Sequence, residues 1–237
     1  MHSTPAAAGV EPGMLAVTTR NRLRSPRFCL PMLRARRLIA RQLATQSGLL
    51  RYASGIVSPT EFLTLTVWEE REAMRAFMQT GAHERLMWHF THWTASFWAM
   101  RWDPATEGVE ARPISPLVAV GLLPERVSRA GPLGPRPESS ILEPRGCGLM
   151  CVTAWFDGVR GATLAWQTTR RLRSKAVRCS GGFDVPPQGL VIGILKDQPQ
   201  TPERVAGADW VTCWQPAEYE IGHWDGLRLR TVARQAS

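Results

Sequence analysis

The feature that most constrains this chain is an order of predicted strands and helices that fills its first half and recurs in its second. The residue pattern of the first half predicts four strands, at 14–19, 49–57, 62–68 and 95–102. A basic amphipathic helix is predicted at 31–45, and helical spacing after Glu70 predicts a helix that Gly81 interrupts. The resulting order, β-α-β-β-α-β, is that of a ferredoxin-like unit.

Short sequence matches indicate that the second half repeats this unit. The matching pieces are Val17-Thr18 with Val152-Thr153, 36–38 with 170–172, Gly48 with Gly182, and 63–67 with 190–194. Their offsets are 135, 134, 134 and 127 residues, and the pieces keep the same order along the chain. Two ferredoxin-like units can stack their bare sheet faces and close a barrel. We therefore predict an α+β fold in which two tandem ferredoxin-like units form an intramolecular pseudo-dimeric α+β barrel.

The predicted boundaries follow from this repeat and from the prolines. We expect a flexible tail at 1–13, one unit at 14–102 and a second unit at 147–232. The second unit is predicted to end with a short helix near 202–207 and strands near 210–214 and 227–232. Eight prolines from Pro104 to Pro144 predict that 103–146 is a connection, because proline lacks an amide donor and fixes φ.

The positive charge is concentrated but does not identify a partner. The formal net charge is +9, only Lys175 and Lys196 are lysines, and eight arginines lie between Arg20 and Arg41. This run fits a nucleic-acid face, the solvated side of a helix, or a site for carboxylates. The chain has no recognisable nucleic-acid-binding motif, and its aromatic residues do not interleave with the basic run. We therefore predict no nucleic-acid partner.

Hydropathy and cysteine usage predict a cytoplasmic protein. No window approaches 18 consecutive apolar residues, so we predict no transmembrane span, and the N-terminal residues lack the apolar stretch of a secretory signal. The cysteines number five and form no C-x-x-C pair, which indicates reduced thiols and no metal site.

One stretch carries a family resemblance. Residues 62–87, FLTLTVWEEREAMRAFMQTGAHERLM, combine a strand ending in Val-Trp-Glu, a helix with Ala-Met and Ala-Phe, and a histidine that begins the next segment. This pattern resembles the dimeric α+β barrel proteins related to antibiotic-biosynthesis monooxygenases, and it is most similar to the branch that contains spheroidene monooxygenase. The resemblance implies oxygenation of an apolar aromatic or polyene small molecule, with haem or with no cofactor, by a monomer or homodimer. The alternative on the same fold is a haem-binding or haem-processing protein.

His83 is the candidate catalytic residue. It shares a helical face with Leu86, Met87 and Phe90, whereas His89 and His92 lie on the opposite side. An imidazole on an apolar face is either a core histidine bound to backbone or a cavity-facing base or haem ligand. The resemblance supports the second interpretation.

Aromatic and basic residues complete the predicted site. Trp68 ends the strand that precedes the His83 helix, so we predict that Trp68, Met87 and Phe90 bind substrate inside an aromatic-walled barrel. If haem is bound, Arg37 is the candidate partner for its propionates; solvation at the surface is the alternative for this arginine and for Arg36. A barrel filled by its ten tryptophans would instead indicate a non-catalytic binding or interaction module.

Overall fold

The first half folds in the predicted order. The structure, a computed structural model, describes residues 14–104, 149–184, 187–196, 205 and 207–229. The elements are β1 (Leu15–Leu23), α1 (Cys29–Thr45), β2 (Leu49–Ser58), β3 (Glu61–Trp68), α2 (Arg71–Met78), α3 (Gly81–Trp93) and β4 (Thr94–Pro104). Gly81 separates α2 from α3 with a φ of 66°, a conformation that glycine adopts without the steric cost of a Cβ atom.

The second half begins in the same way and differs from the prediction at its end. Its described elements are β5 (Leu149–Asp157), α4 (Gly161–Arg173), β6 (Ala176–Asp184), β7 (Gln188–Lys196) and β8 (Trp210–Gly222). The strand predicted near 210–214 is present but longer, as β8. Of the strand predicted near 227–232, Leu227 makes only an isolated bridge with Trp224, and residues 230–232 lie outside the described residues. Positive φ at Asp225 and Gly226 turns the chain back there. The helix predicted at 202–207 falls mostly outside the described residues.

The strands close into an antiparallel barrel. Its order is β1-β3-β2-β6-β7-β5-β8-β4, and β4 pairs again with β1. Each half contributes four neighbours in the same internal order, β4-β1-β3-β2 and β8-β5-β7-β6, which confirms the predicted tandem ferredoxin-like units and pseudo-dimeric barrel. The halves meet where β2 pairs with β6 and where β4 pairs with β8. The predicted unit boundaries remain predictions, and nearly all of the proline-rich connection lies outside the described residues.

Matching hydrogen bonds inside the barrel confirm part of the repeat. The Trp102 indole donates to the Thr18 hydroxyl at 2.7 Å, and the Trp214 indole donates to the Thr153 hydroxyl at 2.8 Å. Thr18 and Thr153 therefore hold equivalent places, as the Val-Thr match predicted. The offset of 127 also recurs, because Glu61 accepts a hydrogen bond from Arg20 and Gln188 accepts one from Trp155.

Two of the predicted matches are wrong. Gly48 lies in the turn before β2, whereas Gly182 lies within β6 and abuts Gly55 of β2; Gly55 is its true counterpart. The arginine-rich helices also differ in phase, because Leu38 is 46% exposed and Leu172 only 4% exposed. Arginine is frequent enough in this chain for such a match to arise by chance.

Large aromatic and polar side chains pack inside the barrel. Trp98 packs against Trp102 and Trp224, with ring centroids 6.4 and 4.8 Å apart, and all three side chains are buried. The Ser180 hydroxyl of β6 reaches Glu61 of β3 at 3.4 Å on the same inner face. Trp68, Met87 and Phe90 instead line a cavity on the outer face of the strands, so the prediction that they bind substrate inside the barrel is wrong.

Candidate functional site

A cavity lies between helices α1 to α3 and the strands of the first half, on the face of those strands that points away from the barrel interior. Its volume is about 170 Å³. Strand alternation directs Val17, Thr19 and Asn21 of β1 toward it, while Thr18 and Arg20 face the barrel interior. Apolar side chains form most of the lining, among them Met32, Ile39, Leu43, Phe62, Trp68, Met74, Phe77, Met87 and Phe90.

The predicted substrate-binding residues lie together at this cavity. His83, Trp68, Met87 and Phe90 all line it. Trp68 is the last residue of strand β3, and its indole donates a hydrogen bond to the Thr66 hydroxyl at 2.9 Å. Phe77 packs against that indole with ring centroids 5.3 Å apart. The prediction that these residues share a pocket agrees with the structure; their roles toward a substrate remain a proposal.

The ring of His83 is held in one orientation. Its Nδ1 lies 3.2 Å from the carbonyl oxygen of Met78, and its ring packs on Phe77 with centroids 4.7 Å apart. Because a carbonyl only accepts hydrogen bonds, we assign the Nδ1–H tautomer, which leaves Nε2 with a lone pair. Burial lowers the pKa of His83 below its ordinary value of 6.5, against an opposing effect of the Met78 hydrogen bond. The imidazole is therefore neutral and able to accept a proton at pH 7.

The backbone of His83 is fixed as well. Gln42 of α1 accepts a hydrogen bond from the His83 amide at 2.8 Å and donates to the Thr80 carbonyl at 2.9 Å. The amide would otherwise be one of the unpaired donors at the start of α3. The helix that carries the histidine is thus tied to the helix on the other side of the cavity.

Arg36, the neighbour of the predicted Arg37, lines the cavity. Its Nη2 donates to the Ser54 hydroxyl at 2.6 Å and forms an ion pair with the buried Asp184 carboxylate of β6. Arg37 is exposed on the opposite side of α1, so its position does not support the predicted contact with a cofactor. Helical phase separates the two arginines, since Arg36 shares the face of Met32, Ile39 and Leu43.

Asn21 supplies an unpaired acceptor at the cavity. Its Oδ1 is buried and has no hydrogen-bond partner among the described residues. A buried acceptor without a partner carries a desolvation cost that a ligand hydroxyl would relieve. The hydroxyls of Thr19 and Thr64, also at the lining, already bond to each other at 2.6 Å. Period-two alternation along β1 could have identified Asn21 from the sequence.

The second half completes the cavity wall. Tyr219 and Ile221 of β8 line it, and Asp184 of β6 holds Arg36. Burial raises the pKa of the Tyr219 hydroxyl, with a smaller opposing effect of Arg101, so this hydroxyl stays protonated at pH 7. The repeat predicted a second unit, but the sequence contained no signal that its strands would reach a site in the first.

The described cysteines do not point to thiol chemistry. Burial raises the pKa of Cys151, raises that of Cys179 to about 11 and raises that of Cys213 to about 12. A thiol with so high a pKa is a poor nucleophile at pH 7. Within the described part of the chain, no three His, Cys, Asp or Glu side chains cluster as metal ligands.

Haem does not fit this cavity. A cavity of about 150 Å³ holds a single benzene ring, and this one measures about 170 Å³, whereas a porphyrin contains four pyrrole rings. The cavity arginine, Arg36, is already neutralised by Asp184, and Arg37 points away. His83 has the hydrogen-bonded Nδ1 typical of a ligating histidine, but its surroundings lack the space and the free cation that haem needs.

Solved structures are similar to this chain at low identity and low TM-score. SnoaB, a cofactor-independent oxygenase from Streptomyces nogalater, is 14% identical over 42% of this chain and 99% of its own, with a TM-score of 0.34. A candidate antibiotic biosynthesis monooxygenase from Nitrosomonas europaea is 15% identical over 38% of this chain and 89% of its own, with a TM-score of 0.35. A candidate monooxygenase from Lactobacillus acidophilus is 5% identical over 89% of this chain and 99% of its own, with a TM-score of 0.39.

These neighbours are described as oxygenases or monooxygenases. No protein-family model matches the chain, and no curated protein matches it. At TM-scores below 0.5 the likeness carries no argument about reaction or ligand. The functional argument therefore rests on the cavity itself. Within the described residues, no helix is long and apolar enough to cross a membrane.

Proposed function

We propose that this chain is a monooxygenase-like enzyme that oxygenates a compact, electron-rich aromatic compound without a bound cofactor. The observation that carries the proposal is the neutral His83 imidazole at an apolar cavity, with Nδ1 bound to the Met78 carbonyl and Nε2 left as a base. A cofactor-free oxygenation requires that the substrate itself reduce oxygen. Removal of a proton makes an aromatic substrate electron-rich enough to do so, and a base beside an apolar cavity provides that step.

The cavity also offers groups for the oxygen atoms of such a substrate. Deprotonation places negative charge on a phenolic or enolic oxygen. Arg36 lines the cavity, and although Asp184 balances its charge, its guanidinium donates hydrogen bonds to that oxygen while the carboxylate holds it in place. The unpaired Oδ1 of Asn21 accepts a hydrogen bond from a neutral substrate hydroxyl.

The size of the cavity favours a ring compound over a polyene. The likeness to the spheroidene monooxygenase branch would imply an extended carotenoid, but about 170 Å³ is close to the volume that holds one aromatic ring and far below what a carotenoid chain needs. Oxygenation of such aromatic compounds is typical of secondary metabolism, and we include that setting in the proposal.

An oxygen-uptake assay tests the proposal. The probe is 1,3-dihydroxynaphthalene, whose oxygenation to 2-hydroxy-1,4-naphthoquinone consumes one O₂ and releases one water. We expect the purified chain to form the quinone faster than the protein-free buffer, with one O₂ consumed per quinone, in the presence of a metal chelator. Binding of the probe without turnover would instead favour the non-catalytic binding module, and a Soret band on the purified protein would favour the haem-binding alternative.

The pair of Arg36 with Asp184 gives a separate prediction. Asp184→Asn leaves the Arg36 charge without its counter-ion, so we expect the free energy of unfolding to fall by about 2–3 kcal/mol, somewhat less than for a fully buried pair. Urea unfolding measures this loss. Adding Arg36→Met to Asp184→Asn removes the unpaired charge, and most of the stability should return while turnover of the naphthalene probe stays low. Recovery of both would show that Arg36 has only a structural role.

A further inference from the structure

The outward side of α1 combines exposed arginines with exposed leucines. One stripe recurs every three or four residues and consists of Leu30, Arg34, Arg37 and Arg41, with Leu38 at its edge. Leu30 is 67% exposed and Leu38 is 46% exposed. The opposite side of the same helix, which carries Met32, Arg36 and Ile39, lines the cavity.

The outward side of α3 has the same character. Trp88 is 76% exposed, and Arg85 beside it is exposed too, whereas His83 and Met87 on the other side line the cavity. Helices α1 and α3 pack against each other. Their outward sides therefore form one continuous surface, which we call the basic-apolar face and which consists of Leu30, Arg34, Arg37, Leu38, Arg41, Arg85 and Trp88.

The charge of this face has one sign. Helix α1 contains no Asp or Glu along its whole length, and α3 contains only Glu84. A second copy of the chain would bring two identical positive surfaces together, and their repulsion opposes a dimer through this face. A nucleic acid would match the arginines but would leave Leu30 and Leu38 in water.

We propose that the basic-apolar face docks on an anionic lipid surface. Arginines near a membrane are attracted to acidic head groups, and leucine and tryptophan side chains enter the boundary between head groups and acyl chains. Tryptophan in particular prefers this boundary. The face thus holds the chain at the membrane surface through two helices that lie flat on it and do not cross it.

The position of the cavity gives docking a consequence. The cavity lies directly beneath α1 and α3, on the inner side of the helices whose outer side meets the lipid. Docking therefore brings the cavity close to any apolar ring compound that is dissolved in the membrane. Docking is nevertheless independent of the proposed reaction, because it requires no turnover, and the two are tested separately.

Vesicle binding by the full chain tests the inference. The probes are phosphatidylcholine vesicles with and without one quarter phosphatidylglycerol, and bound protein is measured by co-sedimentation at 0.1 M salt. We expect binding only to the anionic vesicles. The triple variant Arg34→Gln, Arg37→Gln, Arg41→Gln should bind roughly 100-fold more weakly, since each arginine near the surface contributes a factor of about five. Trp88→Ala should bind about tenfold more weakly.

Scattered basic residues of the second half supply the matched control. The variant Arg160→Gln, Lys175→Gln, Lys196→Gln removes the same charge from exposed positions that do not share one helix face, and its affinity should change less than about threefold. Unchanged melting temperatures confirm that the variants fold. Equal binding to neutral and anionic vesicles, or equal losses from the α1 variant and this control, would overturn the inference. Loss of docking with turnover of a water-soluble probe intact would leave the proposed function standing.

Discussion

Replacing His83 with glutamine is expected to lower kcat/KM for the naphthalene probe by about 100-fold to 10,000-fold, the range over which a positioned general base contributes. Glutamine retains a side-chain amide that can donate to the Met78 carbonyl, but it cannot accept a proton at neutral pH. Steady-state rates of quinone formation measure the loss.

His89→Gln is the matched control, because His89 lies on the exposed side of the same helix. We expect its activity to equal that of the unmodified chain. If both variants lose the same activity, and the loss is explained by a lower melting temperature, His83 has no catalytic role. That result would favour the non-catalytic binding module.

The pH dependence of the reaction follows from the same residue. Only neutral His83 accepts a proton, so the rate should rise with pH and level off above the lowered pKa of this histidine. Because that pKa lies below 6.5, activity should persist in mildly acidic solution where an exposed histidine would already be charged. The stability of the fold should fall as pH drops from 6.5 toward the folded pKa, since the unfolded chain then binds the proton first. His83→Gln should remove both effects.

The sequence predicted the site where local periodicity determines which way a side chain points. Helical spacing placed His83, Met87 and Phe90 on one face, and the position of Trp68 at the end of the strand before that helix placed it beside them; all four line the cavity. The same spacing, applied to α1, would have separated Arg36 from Arg37. The choice of Arg37 was inaccurate because a pair of adjacent arginines was treated as one feature, although neighbours on a helix point about 100° apart.

Local sequence patterns could not predict where the cavity lies. Its location depends on which face of the strands is filled, and the packing of Trp98, Trp102 and Trp224 inside the closed barrel determines that. Likewise, Asp184 lies 148 residues along the chain from Arg36, and Tyr219 belongs to the second half whereas most of the lining belongs to the first. The correct repeat offset of 127 would have paired Gly55 with Gly182, but Gly48 matched the more frequent offset and was chosen instead.

That glycine pair gives the prediction with the largest expected effect on the fold. A Cβ atom on Gly182 would lie 2.8 Å from the carbonyl carbon of Gly55 and 2.9 Å from backbone atoms of Ile56. Backbone atoms within a strand cannot yield as a flexible side chain does. Gly182→Ala should therefore lower the free energy of unfolding by about 3 kcal/mol, at the upper end of what overpacking usually costs. Thermal and urea unfolding of the full chain measure this loss.

Gly193→Ala is the control, because the nearest neighbours of a Cβ atom there are the Leu172 and Cys179 side chains, at 3.3 and 3.8 Å, which can shift, and the Val152 carbonyl oxygen is in ordinary contact at 3.9 Å. Its stability should change by less than about 1 kcal/mol. Gly182→Ala should also reduce turnover, since β6 carries Asp184 two residues further along and that carboxylate holds Arg36 at the cavity. If Gly182→Ala unfolds at the same urea concentration as the unmodified chain, β2 and β6 do not abut, and the barrel is not closed at the junction that brings the two halves to one site.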